Sequence, residues 1–311
     1  MKKVFLYAGQ GSQKVGMGKD FYETYDSFRS FWDELSLPFD FKKLMMEGPL
    51  TELSRTEYTQ GCMAAFAAGI TKLLAEHGVT PEATCGLSLG EYGALYAAGV
   101  FSAEEYLRIV AFRGRVMAEA AKDCHCIMSA VIGTKAEVVE KACDQYPGDA
   151  FVTVANYNCP GQYVLCGDEE AVVAVEEILK GEGVRRFVHL NVSGPFHTKY
   201  MKPAGECLEK LFAGITFEKP KLPVATNVTG SFYEGGESIP ELLVRQVQSS
   251  VRLEEDLRTL LASGYTDFLE IGPGKAVSGF LKKTAKDMGI EVTVDVIETV
   301  GDFKRVIGEE A

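Results

Sequence analysis

The pentapeptide Gly86-Leu87-Ser88-Leu89-Gly90 has the Gly-x-Ser-x-Gly pattern of a nucleophile elbow. In such an elbow the glycines allow a sharp turn between a strand and a helix, so the serine hydroxyl projects above the end of the strand. A strand pattern precedes Ser88, and a helix pattern rich in small residues follows it. The motif therefore predicts a nucleophilic Ser88. The alternative is a structural serine between two glycines, because five-residue matches also arise by chance.

Two backbone amides are candidates for stabilising an oxyanion at Ser88. The helix after the elbow directs its first amides and its dipole towards the serine, which predicts the Leu89 amide as one donor. The segment Gly9-Gln10-Gly11-Ser12-Gln13 ends the first predicted strand and lacks the spacing of a dinucleotide or P-loop motif. Ligands bind at the carboxyl edge of an open α/β sheet, so the Gln10 amide is the second predicted donor. An ordinary strand-to-helix turn is the alternative.

A nucleophilic serine needs a base, and the chain has four histidines. His77 lies at a predicted helix end, and His125 and His189 lie in a segment of different strand pattern, where structural roles account for them. His197 follows the loop Asn-Val-Ser-Gly-Pro-Phe at the return to the first pattern. A histidine on such a loop is well placed to face a cleft, so His197 is the candidate base, with a structural histidine as the alternative.

The order of strand and helix patterns predicts how these residues are positioned. Strands and helices alternate through residues 1–124 and 193–311, which favours a parallel sheet flanked by helices. Residues 125–192 instead follow the order β-α-β-β-α-β, which is the ferredoxin-like pattern. We therefore predict an α/β protein. Its α/β-hydrolase-like large domain spans residues 1–124 and 193–311, and a ferredoxin-like small domain is inserted at residues 125–192.

Composition limits the classes of partner. Of 311 residues, 46% are hydrophobic and 24% charged, which is typical of a globular protein. The net charge of −12 argues against nucleic-acid binding, since that interaction requires neutralisation of phosphates. We expect no membrane span, because no run of about 18 apolar residues occurs.

The cysteines indicate which cellular compartment to expect and whether the chain could bind a metal ion. No export signal is recognisable, so the eight cysteines are expected to be reduced thiols and the protein cytoplasmic. Cys124-His125-Cys126 is a close Cys/His cluster, but it lacks a second ligand pair nearby. We therefore expect no metal site.

Taken together, these motifs closely resemble the malonyl-CoA:acyl-carrier-protein transacylases, which are the acyltransferases of fatty-acid and polyketide synthesis. The resemblance covers nearly the whole chain and rests on separated motifs in the same order. These are GQGSQ, GLSLGEY, AFRGRVM, ANYNCPGQ, GPFHTKYM, VRQVQSSV and EIGPGKAVSG. Several such motifs together are far more specific than the Gly-x-Ser-x-Gly pentapeptide alone.

The resemblance implies a Ser-His dyad. Ser88 matches the nucleophile and His197 the base, and a backbone carbonyl at Gln246 is expected to orient the histidine. The amides of Gln10 and Leu89 match the oxyanion hole. This arrangement would explain why no acidic third member is obvious in the sequence.

The resemblance also implies two residues that select the acyl group. Arg113 matches the arginine that pairs with the free carboxylate of malonyl, a role suited to a guanidinium because it presents a planar fork and stays ionised. Phe196 resembles the residue found before the histidine in malonyl-selective members. An arginine on an amphipathic helix would otherwise be interpreted as a surface residue.

The activity implied is ping-pong transfer of malonyl from malonyl-CoA to the phosphopantetheine thiol of acyl carrier protein, through a malonyl-serine intermediate. Malonyl-CoA is then a substrate, no cofactor is permanently bound, acyl carrier protein is the partner, and a monomer is expected. Two alternatives stay open. One is a thioesterase or esterase with the same elbow, which requires an acidic triad member. The other is a non-catalytic carrier-protein docking module.

The chain departs from the family pattern at four positions. Ala8 stands where a proline is usual, and Leu87 stands where a histidine is usual before the serine. Ser250 replaces a proline and Leu253 a tryptophan in the segment after VRQV. None of these changes removes an assigned catalytic group, but Leu87 puts in question the packing that the histidine provides at the elbow.

Overall fold

The computed structural model describes residues 2–190 and 194–309 of the chain. The strands are β1 (Lys2–Tyr7), β2 (Thr80–Gly86), β3 (Cys126–Ile132), β4 (Val152–Cys159), β5 (Gln162–Asp168), β6 (Arg186–His189), β7 (Ala225–Thr226), β8 (Ser231–Phe232), β9 (Asp267–Ile271) and β10 (Thr293–Ile297). The first helices are α1 (Lys19–Thr24), α2 (Asp26–Glu34), α3 (Phe41–Glu47), α4 (Leu50–Leu53), α5 (Thr56–Glu76), α6 (Leu89–Ala97) and α7 (Ala103–Ala121). The later ones are α8 (Ala136–Asp144), α9 (Glu169–Gly181), α10 (Lys202–Phe212), α11 (Ile239–Gln246), α12 (Leu253–Ala262), α13 (Ala276–Met288) and α14 (Val300–Ile307), with a 3₁₀ turn at Lys199–Met201.

A parallel sheet with the strand order β10-β9-β1-β2 forms the centre of the larger part of the molecule. Strand β1 is buried on both faces, as expected for a parallel sheet covered by helices. Phe5 and Tyr7 belong to the same core cluster as α5 and α7, whereas Val4 and Leu6 belong to the cluster that includes α12 and α13. The two-residue period of the strand thus distributes its side chains between two helical layers.

A separate antiparallel sheet with the order β4-β5-β3-β6 is formed by the middle of the chain. Helices α8 and α9 pack on it through a core that includes Val131, Leu165 and Val175. The predicted order β-α-β-β-α-β is therefore present, and the predicted α/β fold class with two distinct sheets is confirmed. The domain boundaries stay a prediction, and residue 192, where the small domain is predicted to end, lies outside the described residues.

The helices that carry site residues begin where local sequence signals place them. Helix α7 begins with a capping box between Ser102 and Glu105, as its Ser-Ala-Glu-Glu start predicts. Helix α11 begins with a second capping box between Ser238 and Glu241. Such boxes satisfy amide donors at a helix start, so they fix where each helix begins relative to the site.

The segment after α11 joins the two sheets. Val251 donates its amide to the Ala155 carbonyl at 2.9 Å and accepts from the Tyr157 amide at 2.8 Å. The Ser250 hydroxyl donates to the Val154 carbonyl at 2.6 Å. A proline at position 250 has no hydroxyl, so this contact between the two parts of the molecule is specific to the serine.

Two other residues that depart from the family pattern, Ala8 and Leu253, make defined contacts in the structure. The Ala8 amide donates to the Ile271 carbonyl at 3.1 Å, which extends the pairing of β1 with β9 by a bond that proline cannot make. Leu253 is fully buried and starts α12 within the core cluster on that side of the sheet.

Within the described residues, no helix is both long and apolar enough to cross a membrane. In the same parts of the chain, no group of three or more histidine, cysteine, aspartate or glutamate side chains is arranged to hold a metal ion.

Candidate active site

The turn from β2 into α6 is a strained elbow that presents Ser88. The serine has φ 52° and ψ −97°, and α6 begins at the next residue. Both flanking glycines are sterically required: a Cβ at Gly86 would lie 2.0 Å from the Gly90 carbonyl carbon, and one at Gly90 would lie 2.1 Å from the Tyr7 carbonyl oxygen. The chain therefore turns as the Gly-x-Ser-x-Gly pattern predicts, with no room for larger residues.

Ser88 and His197 form a hydrogen-bonded pair. Ser88 Oγ lies 2.7 Å from His197 Nε2, and His197 Nδ1 lies 2.8 Å from the carbonyl oxygen of Gln246. A carbonyl only accepts, so Nδ1 carries the proton and Nε2 is left to accept from the serine hydroxyl. Gln246 is the last residue of α11, whose terminal carbonyls have no partner within the helix, so its oxygen is available to the histidine.

The environment of His197 keeps the imidazole neutral. The residue is 5% exposed and has a left-handed backbone with φ 62°. Burial, and then the nearby positive charge of Arg113, lower the pKa of His197 to about 4. At neutral pH the imidazole is therefore unprotonated and able to take a proton from the serine.

Arg113 is a fully buried cation at the centre of the site. Its Nη1 donates to Gln60 Oε1 at 2.7 Å, and its Nη2 donates to Ser88 Oγ and Gln246 Oε1, both at 3.0 Å. Its guanidinium carbon lies 5.2 Å from the centre of the Tyr92 ring. Among the described residues it has no ion-pair partner, and its Nε has no hydrogen-bond acceptor. A buried guanidinium without a carboxylate partner can accept one from a ligand.

The two predicted oxyanion donors come from different segments of the chain, the elbow itself and the turn after β1. Leu89 is the first residue of α6, and Gln10 lines the same cavity as Ser88. Within the described residues, neither amide donates to a protein acceptor. The Gln10 side chain is held elsewhere, because its Nε2 donates to Thr56 Oγ1 at 3.0 Å and its Oε1 accepts from Gln60 Nε2 at 3.3 Å.

The site opens into a cavity of about 280 Å³ between the two sheets. Ser88, Arg113 and His197 lie on its side towards the parallel sheet, together with the mostly buried Phe196. Its opposite wall is formed by the antiparallel sheet and includes Met128, Ala130, Asn156, Asn158, Gln162 and Val164. Of the predicted site residues, Gln10, Ser88, Arg113, Phe196 and His197 line this cleft, whereas Leu89 and Gln246 do not.

Leu87 contributes an apolar wall beside the nucleophile. Its side chain lines the cavity and packs so closely on Gly9 that a Cβ there would lie 3.0 Å from Leu87 Cγ. Its amide donates to the Tyr7 carbonyl at 3.1 Å, which ties the elbow to the end of β1. The histidine usual at this position could form polar contacts in the cavity that a leucine cannot.

The sequence predictions missed Asn227, which anchors the elbow from the turn between β7 and β8. Its Oδ1 accepts from the Ser88 amide at 2.6 Å, and its Nδ2 donates to the Gly86 carbonyl and to Asp256 Oδ2, both at 2.8 Å. It is fully buried. No local motif surrounds this asparagine, so the sequence offered no signal for it.

Gln60 and Glu91 were also missed, but they carried a usable signal. Gln60 is buried in the apolar helix α5, and Glu91 is 1% exposed on the small-residue helix α6. A strongly polar residue on an otherwise apolar helix is informative, because burying it requires specific partners.

Replacing Asn227 with alanine is expected to lower the free energy of unfolding by about 2 kcal/mol or more, because the Ser88 amide and the buried Gly86 carbonyl and Asp256 carboxylate all lose a partner. Urea unfolding measures the change. Thr229→Ala is the matched control: it lies in the same turn but is exposed, so we expect a loss below about 1 kcal/mol. Equal effects of the two substitutions would contradict the anchoring role of Asn227.

Comparison with known proteins shows which family and which relatives the chain resembles. The model of a protein family described as "Acyl transferase domain" matches residues 4–309. A malonyl CoA-acyl carrier protein transacylase of Bacillus subtilis is 38% identical over 91% of this chain and 90% of that protein.

Solved structures give the same result. A malonyl CoA-acyl carrier protein transacylase from Clostridium perfringens superposes with a TM-score of 0.93 at 36% identity, covering 99% of this chain and 96% of that one. A malonyl-transacylase in complex with its type II PKS acyl-carrier protein superposes with a TM-score of 0.93 at 32% identity, covering 99% of both chains.

Proposed function

Because the chain belongs to the acyl transferase family, over nearly all of its length, we propose that it transfers malonyl from malonyl-CoA to the phosphopantetheine thiol of acyl carrier protein. The resulting malonyl carrier supplies fatty-acid synthesis. The observation that supports this substrate best is the buried Arg113, which contacts Ser88 Oγ and has no carboxylate partner among the described residues.

In the first half-reaction, Ser88 Oγ attacks the thioester carbon of malonyl-CoA while His197 Nε2 takes the hydroxyl proton. The new oxyanion accepts from the amides of Gln10 and Leu89, each worth on the order of 10²-fold in rate. The carbon–sulfur bond then breaks, and His197 returns the proton to the CoA sulfur. The products are free CoA and an ester of malonate on Ser88.

In the second half-reaction the phosphopantetheine thiol gives its proton to His197 Nε2 and its sulfur attacks the ester carbon. The same two amides stabilise the second oxyanion. The carbon–oxygen bond to Ser88 breaks, and His197 returns the proton to Oγ. The carbonyl of Gln246 keeps the imidazole in the required tautomer through both steps.

Arg113 provides the selectivity of the proposed reaction. Burying a cation costs free energy unless a partner satisfies it, and the free carboxylate of malonyl is a suitable bidentate partner. An acetyl group has no such carboxylate and leaves the guanidinium without this partner. We expect Phe196 to limit the space around the acyl group, as proposed from the sequence.

The hydrolase alternative receives no support from the contacts of the histidine. That reading requires a carboxylate on His197 Nδ1, and the acceptor there is the Gln246 carbonyl. The docking-module alternative does not account for a complete Ser-His pair with an adjacent buried arginine. A cytoplasmic location, a monomeric state and the lack of a permanently bound cofactor stay predictions.

Intact-protein mass spectrometry tests the proposal. The protein is incubated briefly with malonyl-CoA, and phosphopantetheinylated acyl carrier protein is then added. We expect a malonyl adduct on the protein that moves to the carrier. Loss of the adduct at the same rate with and without carrier would indicate a hydrolase, and absence of an adduct would overturn the proposed transfer.

A further inference from the structure

Glu91 is a buried carboxylate directly behind the nucleophile. It lies in the first turn of α6, three residues after Ser88, and is 1% exposed. Its Oε2 accepts from Gln246 Nε2 at 2.6 Å and from the Asn227 amide at 3.3 Å. Among the described residues it forms no ion pair. The reaction steps above do not use it, so its presence in the interior calls for another role.

The side chain of Gln246 connects Glu91 to the rest of the site. Its Nε2 donates to Glu91 and, at 2.9 Å, to the Ser88 carbonyl, whereas its Oε1 accepts from Arg113 Nη2 at 3.0 Å. Reversing this amide would set its NH₂ against a guanidinium that only donates, and its oxygen against two acceptors. The amide therefore has one favourable orientation, set by an anion on one side and a cation on the other.

We propose that Glu91 is a positioning residue for malonyl transfer: by fixing the orientation of the Gln246 amide, it holds Arg113 where the guanidinium meets the carboxylate of the acyl group. This inference rests on the proposed function. Glu91 does not touch the substrate, and it acts on Arg113 only through Gln246. The Gln246 carbonyl that orients His197 belongs to the main chain at the end of α11, so the base is held independently of the side-chain amide.

The charges around Glu91 agree with this role. Arg113 on α7 is the cation that acts on it, and Asp256 on α12, Cys85 on β2 and Tyr92 on α6 are the other ionisable groups nearby. Burial raises the pKa of Glu91 to about 7, while the bonds from Gln246 and Asn227 and the charge of Arg113 act in the opposite direction. Burial outweighs these partners, so the carboxyl is predominantly ionised only above about pH 7, where it is the stronger acceptor.

If Glu91 served only to stabilise the fold, its replacement would lower the melting temperature. The pKa of Glu91 predicts the opposite at alkaline pH. The folded pKa of Glu91 lies above its ordinary value of 4.5, so its contribution to stability falls as the pH rises from about 4.5 to about 7. Above that window the ionised, buried group makes the fold less stable than a neutral side chain in the same place would. We therefore expect Glu91→Gln at pH 8 to have a melting temperature equal to or above that of the parent protein.

The test compares malonyl-CoA and acetyl-CoA as donors for Glu91→Gln at pH 8, where Glu91 of the parent protein is ionised. Loss of a charge-assisted hydrogen bond predicts a fall in kcat/KM for malonyl-CoA of about 10- to 100-fold. The rate with acetyl-CoA should change by less than about 3-fold, since that donor presents no carboxylate to Arg113. Glu176→Gln is the matched control, because Glu176 is also buried but binds Ser129 and His189 in the antiparallel sheet. It should leave the ratio of the two donors unchanged.

A double-mutant cycle with Arg113→Ala decides whether Glu91 acts through the arginine. We expect Glu91→Gln to have almost no further effect on malonyl transfer in that background. Additive effects, or equal losses with both donors, would overturn the positioning role. If the parent protein forms no malonyl adduct, the proposed function itself fails, and that outcome is distinct from an adduct-forming parent with an unchanged donor ratio.

Discussion

Replacing Ser88 with alanine is expected to abolish the malonyl adduct and to lower the rate of transfer by about 10⁴-fold or more. The residual rate would come from the oxyanion donors and from substrate binding alone. Replacing His197 with alanine is expected to have an effect of similar size, because both half-reactions require Nε2 to accept and return a proton. Initial rates of malonyl transfer to carrier protein, with mass spectrometry of the protein, measure both effects.

The two substitutions should not add, because Ser88 and His197 act as a unit. The double variant is expected to be no slower than the slower single variant. Ser263→Ala is a suitable control, since the hydroxyl of this exposed serine donates to the Thr259 carbonyl of its own helix, outside the site. Independent effects of Ser88 and His197 on the rate, or a stable adduct in Ser88→Ala, would show that another residue carries the acyl group.

The reason that Ser88 could be identified from the sequence is that its geometry is local. The glycines at positions 86 and 90 and the helix that follows are adjacent in the chain, and the steric demands of the turn act within those few residues. The starts of α7 and α11 could be predicted for the same reason, since a capping box spans only four residues.

Arg113 and Gln246 could be assigned only through family resemblance. Neither residue has a local sequence feature that marks it as functional. The contact between them depends on how α7 and α11 pack. The contact between Arg113 Nη2 and Gln246 Oε1 joins residues 133 positions apart, and the bond from the Ser88 amide to Asn227 spans 139 positions. Contacts at such separations are set by the tertiary fold, so spacing and composition do not predict them.

The order of the parallel strands could not be predicted from the sequence either, because it too depends on contacts between distant parts of the chain. Alternating strand and helix patterns predicted a parallel sheet, but the neighbours of β1 are β2 and β9, which come from distant parts of the chain. This order places the Gln10 turn beside the elbow of Ser88. The oxyanion donors proposed at Gln10 and Leu89 thus depend on a topology that the local patterns do not specify.

Replacing Arg113 with alanine is expected to lower kcat/KM for malonyl-CoA by about 10²- to 10³-fold, which is the effect of losing a buried, charge-assisted bidentate contact. The rate with acetyl-CoA should be unchanged or raised, so the preference for malonyl should be lost. Arg113→Lys should restore only part of it, because an ammonium cannot present a planar fork. Steady-state kinetics with both donors measure the preference, and Arg108→Ala, an exposed position on the same helix, is the control.

Arg113 also affects the base, which gives the same variant a second readout. Burial is the main cause of the low pKa of His197, and the charge of Arg113 lowers it further, to about 4. Since protonated His197 cannot accept the serine proton, kcat/KM should fall as the pH drops through this pKa. Removing Arg113 raises the pKa of His197, so the fall in kcat/KM should begin at a higher pH. The pKa should still lie below the ordinary value of 6.5, because burial persists.

With acetyl-CoA as the donor in both proteins, no substrate carboxylate contributes to the profile. An unchanged acid limb in Arg113→Ala would show that the guanidinium charge does not reach the imidazole, and the arginine would then act on the acyl group alone.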